Sequence, residues 1–167
     1  MTVTINEVGL RDGLQNQPLV VSTSDKLALL NLLETAGLRH IEVASFVHPK
    51  AVPQMADAEA LIEQLDLKRR FYSGLVPNLR GYERGKVTGL SEFGLIMSAS
   101  ETFSERNVNM TLDQALQTNF EVVQACHAAG HHARVYISCS CACPYEGRID
   151  EARVLDLARQ LLDGGAH

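Results

Sequence analysis

Short β-rich runs alternate with helix-patterned segments five times along 167 residues, and this alternation limits the fold more than any other feature. Residues 3–8 form the first β-rich run, followed by a polar loop containing Gly9 and Gly13. Residues 25–36 then place Leu27, Leu30 and Leu33 three apart, the spacing of one helix face. Ser22 and Ser24 are candidate N-caps, and Gly37 is a natural stop. A second strand is expected over 38–44 and a second helix over 52–65, with Pro53 tolerable in its first turn. A third strand over 71–76, weakened by Gly74, leads to a short helix over 78–86. The fourth strand (93–97) precedes a helix over 112–129, opened by a Thr111/Gln114 capping box and closed by Gly130. After a fifth strand over 133–139, Asp150 caps a last helix carrying Val154, Ala158 and Leu161 that stops at Gly164 and Gly165.

A helix that returns the chain to start each strand in the same direction builds a parallel sheet. Two architectures meet that description, a doubly wound open sheet and a (β/α)8 barrel. The first loop has no G-x-G-x-x-G, so a dinucleotide site is unsupported. Polar residues instead gather after every strand: Arg11 and Asp12, Ser45, Asn78, residues 98–109 and residues 138–146. Chemistry spread over many strand ends is the habit of the barrel, and the expected fold is a (β/α)8 TIM barrel of which this chain covers about five βα units. No Pro/Gly/Ser-rich linker or charge block interrupts the series, so residues 1–167 read as one domain. That domain is expected to be incomplete, because five strands cannot close a barrel.

Composition narrows the partners. The chain is 46% hydrophobic and 21% charged, with a net charge of −5 and a pI near 5.6, the profile of a globular protein. An acidic balance argues against nucleic acid or an anionic membrane as partner. No apolar run reaches the ~20 residues that span a bilayer, and the first nine residues lack signal-peptide patterning. The expected compartment is the cytoplasm, or an organelle matrix after processing.

Arg11 and Asp12, side by side after the first strand with Gly13 freeing the backbone, set a hard oxygen ligand beside a fixed positive charge. Such a pair could hold a divalent cation and stabilise an adjacent oxyanion. An ordinary Asp-Gly turn with a surface arginine is the other reading, and composition alone favours it. Cys139, Cys141 and Cys143 would share one face if the fifth strand continued, but zinc sites use C-x₂₋₄-C pairs with a second pair elsewhere, so structural roles are expected for these and for Cys126. His127 and His131 have chelating i,i+4 spacing, yet sit at a helix end where the dipole favours histidine. His40 and His48 have no partner that the sequence names.

Residues 7–16, Ile41 to Val47, Pro49-Lys50, Val52-Pro53-Gln54-Met55, Pro77-Asn78-Leu79 and Cys143-Pro144-Tyr145-Glu146-Gly147 together make the chain resemble the 3-hydroxy-3-methylglutaryl-CoA (HMG-CoA) lyases, within the metal-dependent lyases and Claisen-type synthases built on a TIM barrel. The Arg11-Asp12-Gly13-x-Gln15 element marks only the superfamily, whereas the later elements single out the lyase. The resemblance runs across essentially the whole chain. It implies a retro-Claisen cleavage to acetyl-CoA and acetoacetate, with an acyl-CoA substrate, Mg²⁺ or Mn²⁺, no organic cofactor, and a homo-oligomer, a dimer, in the longer form. Leucine degradation or ketone-body metabolism would be the setting.

By the resemblance Asp12 is the metal-binding aspartate and Arg11 the arginine that stabilises the enolate. Gln15 lies near substrate and metal, and Glu42 is a catalytic-site carboxylate that orients Arg11 or a metal-bound water; a buried salt bridge to a barrel residue is the plainer reading, and the two are compatible. Ser45 and Ser100 are weaker substrate-pocket candidates, as is Tyr136. Leu10 stands where many relatives have proline, and Pro18 where some have a basic residue near the CoA phosphates. The family draws further metal ligands from a later His-x-His and an asparagine, a catalytic aspartate from a Gly-Asp-Thr segment, and a catalytic cysteine from a Gly-rich loop. All correspond to positions past His167, and none of the present cysteines matches the last, so the chain alone is expected to be inactive. Two other readings remain: a Claisen-type synthase joining an acyl-CoA to a 2-oxo acid, against which the Glu7-Val8-Gly9 opening speaks, and a non-catalytic half-barrel fragment.

Overall fold

A computed structural model describes residues 3–69 and 71–167. The chain divides into two compact units, one ending at Phe93 and the other spanning Gly94–His167. In the first, β1 (Asn6–Glu7) pairs in parallel with β2 (His40–Ser45), and β2 in parallel with β3 (Phe71–Leu75). The register sets Asn6 beside His40, Ile41 beside Tyr72 and Glu42 beside Ser73, then shifts between Glu42 and Ala44. From Ile41 to Ser45 every residue of β2 is buried, as expected of a parallel strand covered on both faces.

β1 is shorter than the 3–8 run predicts because it ends in an unusual turn. Val8 leaves extended geometry, and its carbonyl accepts the amides of Arg11 (3.1 Å) and Asp12 (2.7 Å) at the start of a π-helical turn, Gly9–Gly13. Ser22, rather than Ser24, caps α1 (Thr23–Thr35) by accepting the Asp25 amide. The buried stripe of α1 includes Lys26 as well as Leu30.

The helix expected over 52–65 is broken in two. A 3₁₀ turn, Pro53–Met55, is followed by α2 (Ala58–Ile62). Asp57 between them has φ −96° and ψ 15°, and its carboxylate is held by Thr23 and Lys26 instead of capping α2. α3 (Leu79–Lys86) is capped by Asn78, whose side chain accepts the Gly81 amide.

β4 (Glu92–Ser98) leads into the second unit, where the Ala99 amide donates to the carbonyl of Ser138 at the end of β5 (His132–Ser138). Residues 101–108, which the sequence places only among the polar residues after the fourth strand, form α4 (Glu101–Val108), ended by Asn109 in the left-handed region at φ 56°. The Thr111/Gln114 capping box opens α5 (Leu112–Ala128) as the sequence predicts. A small antiparallel hairpin of β6 (Ala142–Cys143) and β7 (Gly147–Arg148) precedes α6 (Glu151–Asp163), capped by Asp150. Among the described residues no helix is long and apolar enough to cross a membrane.

Phe46, Gly74, Gly85 and Phe93 interlock in the first unit. A Cβ on Gly85 would stand 2.7 Å from Phe93 Cε1 and 3.0 Å from Phe46 Cε2, and one on Gly74 2.7 Å from Phe46 Cε2. Both rings are fully buried, so neither can swing aside. Gly85→Ala is therefore expected to cost ~1–3 kcal/mol by overpacking, read as a lowered midpoint of urea unfolding.

Candidate functional site

The turn after β1 and the body of β2 bring together Arg11, Asp12 and Glu42. Arg11 Nε donates to Glu42 Oε1 at 2.5 Å, and Arg11 NH1 to Asp12 Oδ1 at 2.8 Å. Glu42 is fully buried and Arg11 nearly so, whereas the Asp12 side chain is 56% exposed. The guanidinium is thus fixed along one edge by a carboxylate withheld from water, while NH2 has no partner among the described residues. Of the two sequence readings of this pair, the surface arginine is excluded: Arg11 is buried and ion-paired. Glu42 takes part in the buried salt bridge foreseen for it, and its partner is Arg11.

Gln15 lies one helical turn beyond Asp12, and its Oε1 is buried with no hydrogen-bond partner among the described residues. Ser45 and Ser73 are buried on β2 and β3, and their hydroxyls likewise lack partners there. Asp12 and Gln15 therefore offer two oxygen donors of the kind hard cations take. Among the described residues no group of three or more His, Cys, Asp or Glu could hold a metal ion.

Ser100 belongs to the second unit, in a different setting. It caps α4 by accepting the Phe103 amide, and its Oγ stands 2.9 Å from Cys143 Sγ and 2.8 Å from Glu146 Oε1. Glu146 also accepts the Thr102 amide at 2.6 Å. That amide first, and the Ser100 hydroxyl second, hold the Glu146 carboxyl below its ordinary 4.5. Burial pushes the Cys143 thiol up, but hydrogen bonds from Ser100, the Tyr145 and Glu146 amides and Cys139 outweigh it, and the net shift is downward. Burial and the neighbouring Cys143 push Cys139 upward. The three thiols do not share a strand face, because β5 ends at Ser138 and Cys139 turns into the left-handed region at φ 56°. All four cysteines are free. Tyr136 is half-buried on β5, and His40 stacks on Phe71 with ring centroids 4.6 Å apart.

One group escaped the sequence reading. Lys26 is 1% exposed, and its Nζ donates to Asp57 Oδ1 at 2.5 Å and to the Gln54 carbonyl at 2.6 Å. Its position four residues before Leu30, on the buried stripe of α1, was the available signal.

Two predictions follow from these geometries. Glu42→Ala leaves a buried guanidinium short of its main counter-charge and should cost ~3 kcal/mol, the low end of the range because Asp12 still holds NH1; adding Arg11→Met should recover part of that loss in urea unfolding. For Glu146, a folded-state pKa below the unfolded one means its stabilisation is complete above about 4.5 and is lost as pH falls through the folded value. Glu146→Gln should thus lower the melting midpoint at pH 7 and leave it unchanged at a pH below both values.

The comparisons with known proteins agree with one another. The HMGL-like family model matches residues 2–167. The mitochondrial hydroxymethylglutaryl-CoA lyase of Bos taurus is 42% identical over 99% of this chain. The crystal structure of hydroxymethylglutaryl-CoA lyase from Pseudomonas aeruginosa is 40% identical, with a TM-score of 0.92 over 98% of this chain and 55% of its own. An HMG-CoA lyase from Acinetobacter baumannii, solved in complex with coenzyme A and 3-methylmalate, is 35% identical, with a TM-score of 0.91 over all of this chain and 56% of its own. The chain spans about half the length of the relatives it matches. Their fold is the TIM barrel expected from the βα alternation, here in its first five strands. On the family model and on these relatives, the chain belongs to the HMGL-like family.

Proposed function

We propose that this chain supplies the acyl-CoA end of a metal-dependent lyase site that cleaves HMG-CoA to acetyl-CoA and acetoacetate. One observation carries the reading: a buried arginine whose Nε is held by Glu42 and whose NH1 is held by the exposed Asp12, with NH2 left without a partner among the described residues. Retro-Claisen cleavage needs that arrangement. Once the C3 hydroxyl has given its proton to a base, the C2–C3 bond breaks: its electron pair is shared between C2, the carbon alpha to the thioester carbonyl, and the carbonyl oxygen, while the C3 alkoxide becomes the ketone of acetoacetate. A cationic donor fixed beforehand stabilises the developing enolate oxygen without reorganising, and Arg11 NH2 is such a donor. Protonation of C2 then completes acetyl-CoA.

Asp12, and Gln15 through its orphaned Oε1, fit a hard divalent cation, Mg²⁺ or Mn²⁺. When bound, such an ion lowers the cost of ionising a tertiary hydroxyl. Glu42 does not touch substrate in this reading: it holds the guanidinium aimed. Ser45, with its unpartnered hydroxyl on the adjoining strand end, is a substrate contact. Ser100, tied to Glu146, is better explained as the cap of α4. The lyase is favoured over a Claisen-type synthase because the relatives at about 40% identity are lyases along this whole length. The single-domain reading, the oligomer and the cytoplasmic or matrix compartment belong to the same proposal.

The test is a chimera in which the P. aeruginosa lyase supplies the strands that follow His167. Acetoacetate released from HMG-CoA with Mg²⁺, and lost by roughly 10³-fold or more in Arg11→Gln, is the expected result. A chimera with a cooperative melting transition that leaves HMG-CoA intact, or that releases free CoA from acetyl-CoA and a 2-oxo acid instead, would overturn it.

A further inference from the structure

The turn that carries Arg11 and Asp12 is held at two places by groups distant in sequence. One is the Arg11–Glu42 pair. The other lies at its far end, where Gln54 Nε2 donates to the Gln17 carbonyl at 2.7 Å. Between them the turn is stitched by local bonds only: Asn16 Nδ2 to the Asp12 carbonyl (2.9 Å), Gln17 Nε2 to the Gly13 carbonyl (3.2 Å) and the Gln17 amide to the Leu14 carbonyl (3.1 Å). Gln17 is therefore coupled back to Asp12 through one short helical stretch. Just after it comes Pro18, which biases Gln17 away from helical geometry, and residues 18–20 are exposed. Without the Gln54 bond this end has little to stop it unwinding.

Gln54 is itself unusually well anchored. Pro53 fixes the entry to its 3₁₀ turn, and its carbonyl accepts the Lys26 ammonium. Lys26 in turn is held by Asp57 Oδ1, whose other oxygen accepts the Thr23 hydroxyl. Burying an ammonium is costly, and an apolar side chain would fill the α1 stripe at less expense. What the ammonium adds is a fixed point for the Gln54 backbone.

We infer that Gln54 is a positioning residue for the Arg11–Asp12 turn, with the buried Lys26–Asp57 pair as its anchor. This rests on the reading of Arg11 and Asp12 as the reacting end of the site, but its primary test does not. Gln54→Ala and Gln54→Glu are made in the 167-residue chain, and amide exchange is followed by mass spectrometry. Glutamate keeps the shape of glutamine but cannot donate to the Gln17 carbonyl. Both variants should exchange about fivefold faster over residues 12–17, the loss of one neutral hydrogen bond, with the rest of the chain and the melting midpoint nearly unchanged. Lys26→Met should show the same local acceleration together with a lower melting midpoint. Unchanged exchange over 12–17 in Gln54→Ala, or protection restored by Gln54→Glu, overturns the inference, since a packing role would survive the isosteric change. In the chimera described above, Gln54→Glu should lower kcat about tenfold and leave KM for the thioester in place. An inactive parent chimera would strike the lyase reading alone, and normal turn protection in the Gln54 variants would strike the inference alone.

Discussion

The contact between Arg11 and Glu42 ties together most of what is distinctive in the first unit. A carboxylate with no solvent exposure can persist as an ion only if an opposite charge meets it at hydrogen-bond distance, and here a guanidinium does so at 2.5 Å. That requirement dictates the path of the chain after β1. A regular loop or an immediate α-helix would carry the side chain of residue 11 elsewhere. The π-helical turn, with the Arg11 and Asp12 amides converging on the Val8 carbonyl, brings it back over the end of β2. Asp12 follows next in the chain and is left facing water, so one backbone device sorts two neighbouring charges into a buried and an open position.

The second unit is organised differently, around a neutral hydroxyl. The oxygen of Ser100 caps α4, and it stands within hydrogen-bond distance of both Cys143 Sγ and Glu146 Oε1. The Glu146 carboxylate in turn accepts the Thr102 amide. These bonds draw the β6–β7 hairpin onto the first turn of α4. The Cys143-to-Gly147 motif therefore has a local structural explanation: its cysteine and glutamate are both receptors for groups at one helix N-terminus.

The alternation of strands and helices was legible because parallel strands are buried on both faces and read as apolar runs, while helices such as α5 announce themselves with a capping box. The candidate pair Arg11–Asp12 was legible as a type of chemistry. Its buried partner Glu42, 31 positions away, could be reached only through resemblance, since nothing in spacing links a turn to a residue inside the next strand. What failed to read has local and distant causes. The second helix is broken at Asp57 by bonds to Thr23 and Lys26, groups on another element. α4 is rich in polar residues, so no apolar periodicity marks it as a helix. The strand expected to continue through Cys139 stops because that residue turns left-handed at the hairpin entrance. Only the break at Asp57 is a tertiary interaction overriding a local pattern.

The shift in register within β2 has one further consequence. In an unbroken strand, residues three apart point to opposite sides. Here Glu42 lies beside Ser73, and Ser45 beside Leu75, two residues on along β3, so the extra residue at Val43–Ala44 turns Glu42 and Ser45 toward the same side. The spacing of this segment is therefore under tighter constraint than its composition. Deleting one apolar residue between the two would leave every chemical group in place in the sequence. It would nonetheless turn one of the two polar side chains to the opposite face of β2.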